Sequence, residues 1–514
     1  MRSSVLSRCK GHEAADNTDP GQARNNNRRL VPLVSIRYML EVMANLNRVL
    51  ATLLVSAVAV VAAGNQAAAQ TPTVVGANVP GTFGDASGHS AQSHLVFASA
   101  SATWWVFTLT SFADSQGGTN HIVKSFYSSG PDLATATWVS AQDSPPAAAG
   151  QCCQFMGSGR ALAIAYLNNN GSDVIHAEVA MAADGGNGRT AHIRATVGRN
   201  SITWAPWTYF DEPAAIWTLP RATSLGISSG KYIHSAGPIL QQEVDANARK
   251  SMNPDTGSAW TSGFSSVSVI DNSMINACNA IAFGSLGSNV MVGVYDNGGG
   301  TSTCYNCGQT GAPEPNLTNL RYKKSNPDGS WPGVAVGGQG GGDGFVFSSD
   351  ATINQNDWAL VPVTTALLYV FRTTASGSGI DGARYNASTN NWSAVVTPPP
   401  AFTSNQKLKS GGGLFGATDG ANVWLFFINS DTSNTILYSK FDGTSWTPWA
   451  AVPGTSTGSH VRNFIAGSAA VNNGQVGLIW TEGSTSFDLM TAPLPVTATA
   501  RPPTPPTNLR IIRD

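Results

Sequence analysis

Charge is what this chain has least of. Only 11% of its 514 residues are Asp, Glu, Lys or Arg, against roughly 25% in an ordinary soluble protein. The 29 basic and 30 acidic residues nearly cancel, leaving a net charge of −1. No basic field is available to draw in nucleic acid or an anionic membrane surface. A long apolar run is missing too. The nearest approach, Val49–Ala63, has 15 residues, short of the roughly 20 that a membrane-spanning helix needs. Cysteine is scarce, with six in all. Cys304 and Cys307 form a CxxC, but a zinc site would want a second pair nearby, and Cys152–Cys153 has no His at ligand spacing. The glycine run 337–344 lacks the Lys-Ser/Thr pair and following helix of a phosphate loop. Asp343 and Asp350 lack the alternating acidic spacing of a calcium loop. No metal and no cofactor is expected.

Turn formers and aromatics are plentiful instead, with 54 Gly and 14 Trp. The stretch 435–449, TILYSKFDGTSWTPW, shows why. Ile436, Tyr438 and Lys440 alternate as in a strand with one packed and one wet face. Asp442-Gly443 then suits a tight hairpin, and Trp446 opens the return strand. Similar hairpin-plus-Trp units end at Trp138, Trp204, Trp260, Trp331, Trp392 and Trp446, spaced 66, 56, 71, 61 and 54 residues apart. A period near 60 residues built of short strands predicts propeller blades. Apolar second strands are expected at 104–109, 161–167, 290–295, 367–371 and 476–480, with 231–234 the weakest copy. A seventh unit follows at 463–493 without a closing Trp. Residues 71–80 are β-like and belong to no blade, so this strand is expected to complete the last one and close the ring. The fold class is therefore all-β: a β-propeller of seven four-stranded blades, six or eight being the alternatives.

The short apolar run has Arg48 before it and Ala67-Ala68-Ala69 after it, as a secretory signal peptide does. Met43 opens a well-proportioned one. The domain plan is then an extended or mis-started N-terminus at 1–42, a signal peptide at 43–69, the propeller at 70–496, and a Pro-rich linker with a truncated tail at 497–514. An uncleaved N-terminal anchor is the alternative. Cleavage near Ala69 would place the mature chain outside the cell, at its surface or in the periplasm. An exported chain favours a disulfide among Cys278, Cys304 and Cys307.

The motifs SNPDGSW (325–331), SKFDGTSW (439–446) and MNPDTGSAW (252–260) resemble the Asp-box, or BNR, hairpins of sialidase-like propellers. That resemblance implies Asp and Trp residues that build turns and pack blades, without chemistry of their own. The endings WAPWTYF (204–210) and WTPWAAV (446–452) are similar to the W-x-x-W blades of bacterial and fungal propeller lectins, whose inter-blade aromatics stack on sugars. This resemblance marks Trp207, Tyr209 and Trp449 as candidate binding residues. GKYIHSAGP (230–238) is similar to the G-Y-I-H segments of propellers that include secreted polysaccharide lyases. There a His or Tyr moves the proton beside a uronate carboxylate while Arg neutralises it. His234, Tyr232, Arg221 and Glu243 are the candidate catalytic set on that reading; the bland reading of His234 is a hydrogen-bonded core histidine. A full sialidase set is not assembled.

The sequence thus points to an exported bacterial propeller that binds a polysaccharide or other glycan. The rival is a carbohydrate-active enzyme, a polysaccharide lyase or sialidase-like glycosidase, with an axial site near 221–243. A structural or protein-binding surface propeller is the third reading. No nucleic acid, and no stable membrane span after signal cleavage, is expected.

Overall fold

The computed structural model describes residues 71–79, 86–89, 92–113, 119–148, 162–181, 189–211, 223–241, 243–256, 263–266, 268–271, 281–298, 316–334, 341–349, 353–354, 357–374, 376–409 and 412–496. The signal peptide, every cysteine, the Pro-rich tail, Arg221 and Trp260 lie outside them. Among the described residues every regular element is a strand.

Seven antiparallel sheets follow one another along the chain. Their first strands are Leu95–Ala98, Leu162–Asn169, Ser224–Ile227, Ile281–Ser285, Trp358–Thr364, Leu414–Thr418 and Arg462–Gly467. Each touches the first strand of the next sheet, and the seventh touches the first, so the inner strands close a ring. Each sheet then runs outward in chain order. The seventh has only three strands of its own, and its outer place is taken by Thr73–Val79, antiparallel to Phe487–Pro495. The protein is a seven-bladed β-propeller closed by its N-terminal strand.

Alternation explains the packing. In blade six Val423–Ile428 is buried at every position, as a strand covered by neighbours on both faces must be. One expected element is placed differently. Residues 161–167 were expected to be a second strand, yet Leu162–Asn169 is the inner strand of blade two, and its second strand is Ser172–Met181. That strand carries Asp173, His176 and Glu178 and so lacks a continuous apolar run. Its Ile175, Ala177 and Val179 pack with Phe107, Leu109 and Val123 of blade one. The opposite face carries His176 and Glu178 beside Val174.

The hairpin turns work as their sequences imply. The Asp442 carboxylate accepts the backbone N–H groups of Thr444 and Ser445, both at 2.8 Å, while Gly443 takes φ of 93°, a region costly for a residue with a Cβ. Asp328 accepts the N–H and hydroxyl of Ser330. In blade five Asn386 does the same for Ser388.

Candidate functional site

At the propeller axis, where an enzymatic site was expected, the described residues enclose only a small cavity. A cavity of about 110 Å³ is lined by Ala282, Phe283, Leu360, Phe415, Gly467 and their neighbours, with no titratable side chain. Its remaining wall is Gln92–Ser93, one arm of a small hairpin that pairs with Gly88–His89. This hairpin is tied to several blades. Ser87 donates to the carbonyl of Phe464 (2.6 Å), the amide of Gln92 donates to that of Ile164, and Leu225 N–H donates to Gln92 Oε1 (2.8 Å). Both ring nitrogens of buried His94 face carbonyl oxygens, of Ala86 at 2.8 Å and Leu162 at 3.0 Å. The pre-blade segment thus stoppers the centre of the ring.

Of the catalytic candidates, only His234 and Tyr232 have described side chains, and neither lines this cavity. His234 and Tyr232 share one face of the third blade, toward blade four. His234 is completely buried between Phe283 and Trp331, and its Nδ1 accepts the Trp331 indole N–H at 3.1 Å. Burial, and secondarily the positive charge of Lys250, pushes its pKa down to about 3. Tyr232 lies beneath the ammonium of Lys250, 4.4 Å from its ring centre. Glu243 is placed only by its backbone, paired with Gln241 at the hairpin tip. Arg221 lies outside the described residues.

The titratable groups that do converge were missed by the sequence reading. On the face of blade two toward blade three, His176 lies directly across from Arg194, and Glu178 from His192. The two-residue spacing in His-Ala-Glu (176–178) and His-Ile-Arg (192–194) was the available signal, since i and i+2 share a strand face. Asp255, from the third-blade hairpin, reaches into this block. Its Oδ2 accepts from His176 Nε2 and Arg194 Nε, both at 2.8 Å, and it is fully buried. His176 Nδ1 in turn meets His192 Nε2 at 3.1 Å. With a carboxylate on one side, both imidazoles neutral require His176 to hold its proton on Nε2 and His192 to donate from Nε2. Burial lowers the pKa of both; Asp255 opposes the shift at His176, while His176 and Arg249 add to it at His192. Glu178 accepts the hydroxyls of Thr223 and Ser235 at 2.8 and 2.7 Å, with Arg249 at 4.0 Å. The Arg249 guanidinium lies over Phe210 and Phe264. Among the described residues the apolar cluster on this boundary has four buried members, Ala163, Ala165, Leu225 and Ile233. The set combines acid, base and cation, but its imidazoles have at most 1% of their surface exposed.

The tryptophans among the binding candidates bond across blades. Trp204 and Trp207 donate their indole N–H groups to the carbonyls of Gln142 (3.0 Å) and Pro145 (2.7 Å) on the segment leaving blade one. Trp446 and Trp449 donate to Thr397 (3.0 Å) and Pro400 (2.9 Å) leaving blade five. Two tryptophans three apart thus hold two carbonyls three apart, twice. Tyr209 is half-buried and packs on the core of blades one and two. Trp138 likewise reaches Thr491 of blade seven, and Trp331 reaches His234 of blade three.

Trp392 breaks the pattern. Its indole nitrogen is buried and meets no acceptor among the described residues. The carbonyls of Phe347 and Ser349 that leave blade four are taken instead by Asn319, and that of Ser349 also by Arg372. Beside Trp392 a groove of about 270 Å³ opens between this segment and blade five. Phe347, Val395 and Pro398 supply apolar surface, and Ser348, Ser349, Asp381 and Ser393 polar surface. Asp381 is 45% exposed, whereas the Arg372 side chain, 3.9 Å from it, is completely covered and lies against the Phe347 ring.

No protein-family model matches the chain, and no curated protein matches its sequence. Solved structures of similar shape are a polysaccharide lyase, Uly1 (10% identity, TM-score 0.42, covering 80% of this chain and 90% of that one), and sialidases. Among the sialidases, the Hadza microbial sialidase Hz136 is 11% identical with a TM-score of 0.36, covering 64% of this chain and 65% of that one. The Trypanosoma rangeli sialidase is 10% identical with a TM-score of 0.36, covering 75% and 57%.

Proposed function

We propose that this chain is an exported glycan-binding propeller that holds its ligand at the blades rather than on the axis. The observation that carries this reading is the stoppered centre: the axial cavity is small and, among the described residues, is lined by no titratable side chain. The larger of the two concavities among the described residues is the groove beside Trp392, which mixes aromatic and polar surface as small-molecule sites do. The Uly1 and sialidase structures are named as carbohydrate-active proteins; the binding reading assigns a glycan to this chain as well, without their chemistry. Affinity electrophoresis of the purified chain through gels cast with neutral or acidic polysaccharides tests it. Retardation by at least one polysaccharide is the expected result. Unchanged mobility in all of them would remove the glycan and leave a structural propeller.

A second reading has one specific observation in its favour. His176, His192, Arg194, Arg249 and Glu178 gather acid, base and carboxylate-neutralising types in one place, with imidazole pKa values pushed down. Such perturbed clusters mark catalytic sites often enough to be weighed. On this reading the enzyme is a lyase or glycosidase, and its chemistry sits between blades two and three instead of at His234.

A further inference from the structure

The groove beside Trp392 has a definite chemical preference. We propose that it is a subsite for a single uncharged sugar residue and that it rejects uronates; this rests on the glycan-binding reading above.

Three features of the groove support the assignment. First, it lies where an inter-blade clasp is unmade. Trp138, Trp204, Trp331 and Trp446 all donate to the preceding blade, whereas the Trp392 N–H has no acceptor among the described residues. A buried unpaired N–H costs about 1–3 kcal/mol; this boundary lacks the bond that ties the neighbouring blades and leaves room beside Trp392. Second, about 270 Å³ lies just below the roughly 300–1,000 Å³ of drug-sized sites, which suits one ring and not a chain. The CH faces of a pyranose meet Phe347, Val395 and Pro398, and its hydroxyls meet Ser348, Ser393 and the carboxylate of Asp381. Third, the charges present exclude a carboxylate. Among the described residues Asp381 is the one titratable residue of the lining, and the nearby cation, Arg372, is fully covered. An incoming uronate would find no exposed counter-charge and would face Asp381 at close range.

Saturation-transfer NMR on the full chain tests this, with methyl glycosides of glucose, galactose, mannose and N-acetylglucosamine against glucuronate and galacturonate. At least one neutral glycoside is expected to show transfer, with uronates at least tenfold weaker. Ala394→Trp, on an exposed position of the lining, fills the groove without touching the core and should abolish transfer. Trp392→Phe should weaken it several-fold, and Asp381→Asn should narrow the gap between neutral and acidic sugars. Neutral sugars that bind equally well to Ala394→Trp would place the site elsewhere and overturn this inference while sparing the glycan reading. A preference for uronates would overturn the charge argument. No transfer from any sugar, together with unretarded electrophoresis, would overturn both.

Discussion

The indole N–H of Trp331 donates to Nδ1 of His234, joining blades three and four across 97 positions of sequence. The bond fixes the imidazole as neutral with its proton on Nε2, and it employs the nitrogen that a general base would need free. His234→Ala should therefore act on stability and leave glycan retention unchanged. Stranding a buried indole N–H costs about 1–3 kcal/mol, and the vacated space adds to it. Urea unfolding measures this; an unchanged midpoint with lost retention would contradict it.

Asp255 carries more than its place in a hairpin motif implies. Where Asp442 bonds its own turn, Asp255 crosses to blade two and holds His176 and Arg194. Asp255→Ala removes the carboxylate from a buried pair and should cost about 3–5 kcal/mol. Asp442→Ala, in an exposed turn, should change the unfolding midpoint far less. Equal effects would mean that Asp255 acts only on its turn.

Acid should loosen the ring before it protonates the surface carboxylates fully. His234 titrates near 3 and His121 near 4 in the folded chain, and burial lowers His176 and His192 too. Unfolded histidines titrate near 6.5, so below that value the unfolded chain binds more protons and gains relative to the folded one. Stability contributed by His234 and His121 is present above pH 6.5 and drains as pH falls toward 3–4, at up to about 1.4 kcal/mol per pH unit for each, and His176 and His192 act in the same direction. Thermal melts between pH 7 and 4 should show a steepening loss, and His121→Asn with His234→Gln should flatten it. A melting temperature flat across that range would contradict the assignment.

The paired tryptophans should behave as clasps. Trp446→Phe and Trp449→Phe keep an aromatic ring but lose the bonds to Thr397 and Pro400, each worth about 0.5–1.5 kcal/mol. Both variants should unfold at lower urea while retaining glycan mobility shifts. Loss of retention from either, with stability intact, would restore the lectin-like role expected of Trp449.

What was legible in the sequence is what local physics controls. Asp442-Gly443 before Trp446 encodes a hairpin within a few residues, and its recurrence at a 60-residue period gives blades. The orphan strand at 71–80 could be assigned because a sheet ring needs its last edge covered. The inter-blade chemistry was less accessible. Asp255 is 79 residues from His176 and 61 from Arg194, and no pattern within one blade says which neighbour a hairpin side chain will enter. Polar residues on Ser172–Met181 also hid that strand, because alternation with His176 and Glu178 on one face reads as a wet edge. The Gln92–Ser93 stopper is a short polar segment whose seat exists only once several inner strands have closed around it.

Binding without turnover is the central claim, and a single incubation tests it most directly. The purified chain is held with each polysaccharide that retards it, while the ultraviolet absorbance of unsaturated uronate and the appearance of new reducing ends are followed together. Both traces are expected to stay at the level of buffer alone. A rise in either would contradict the account and move the function to the histidines between blades two and three.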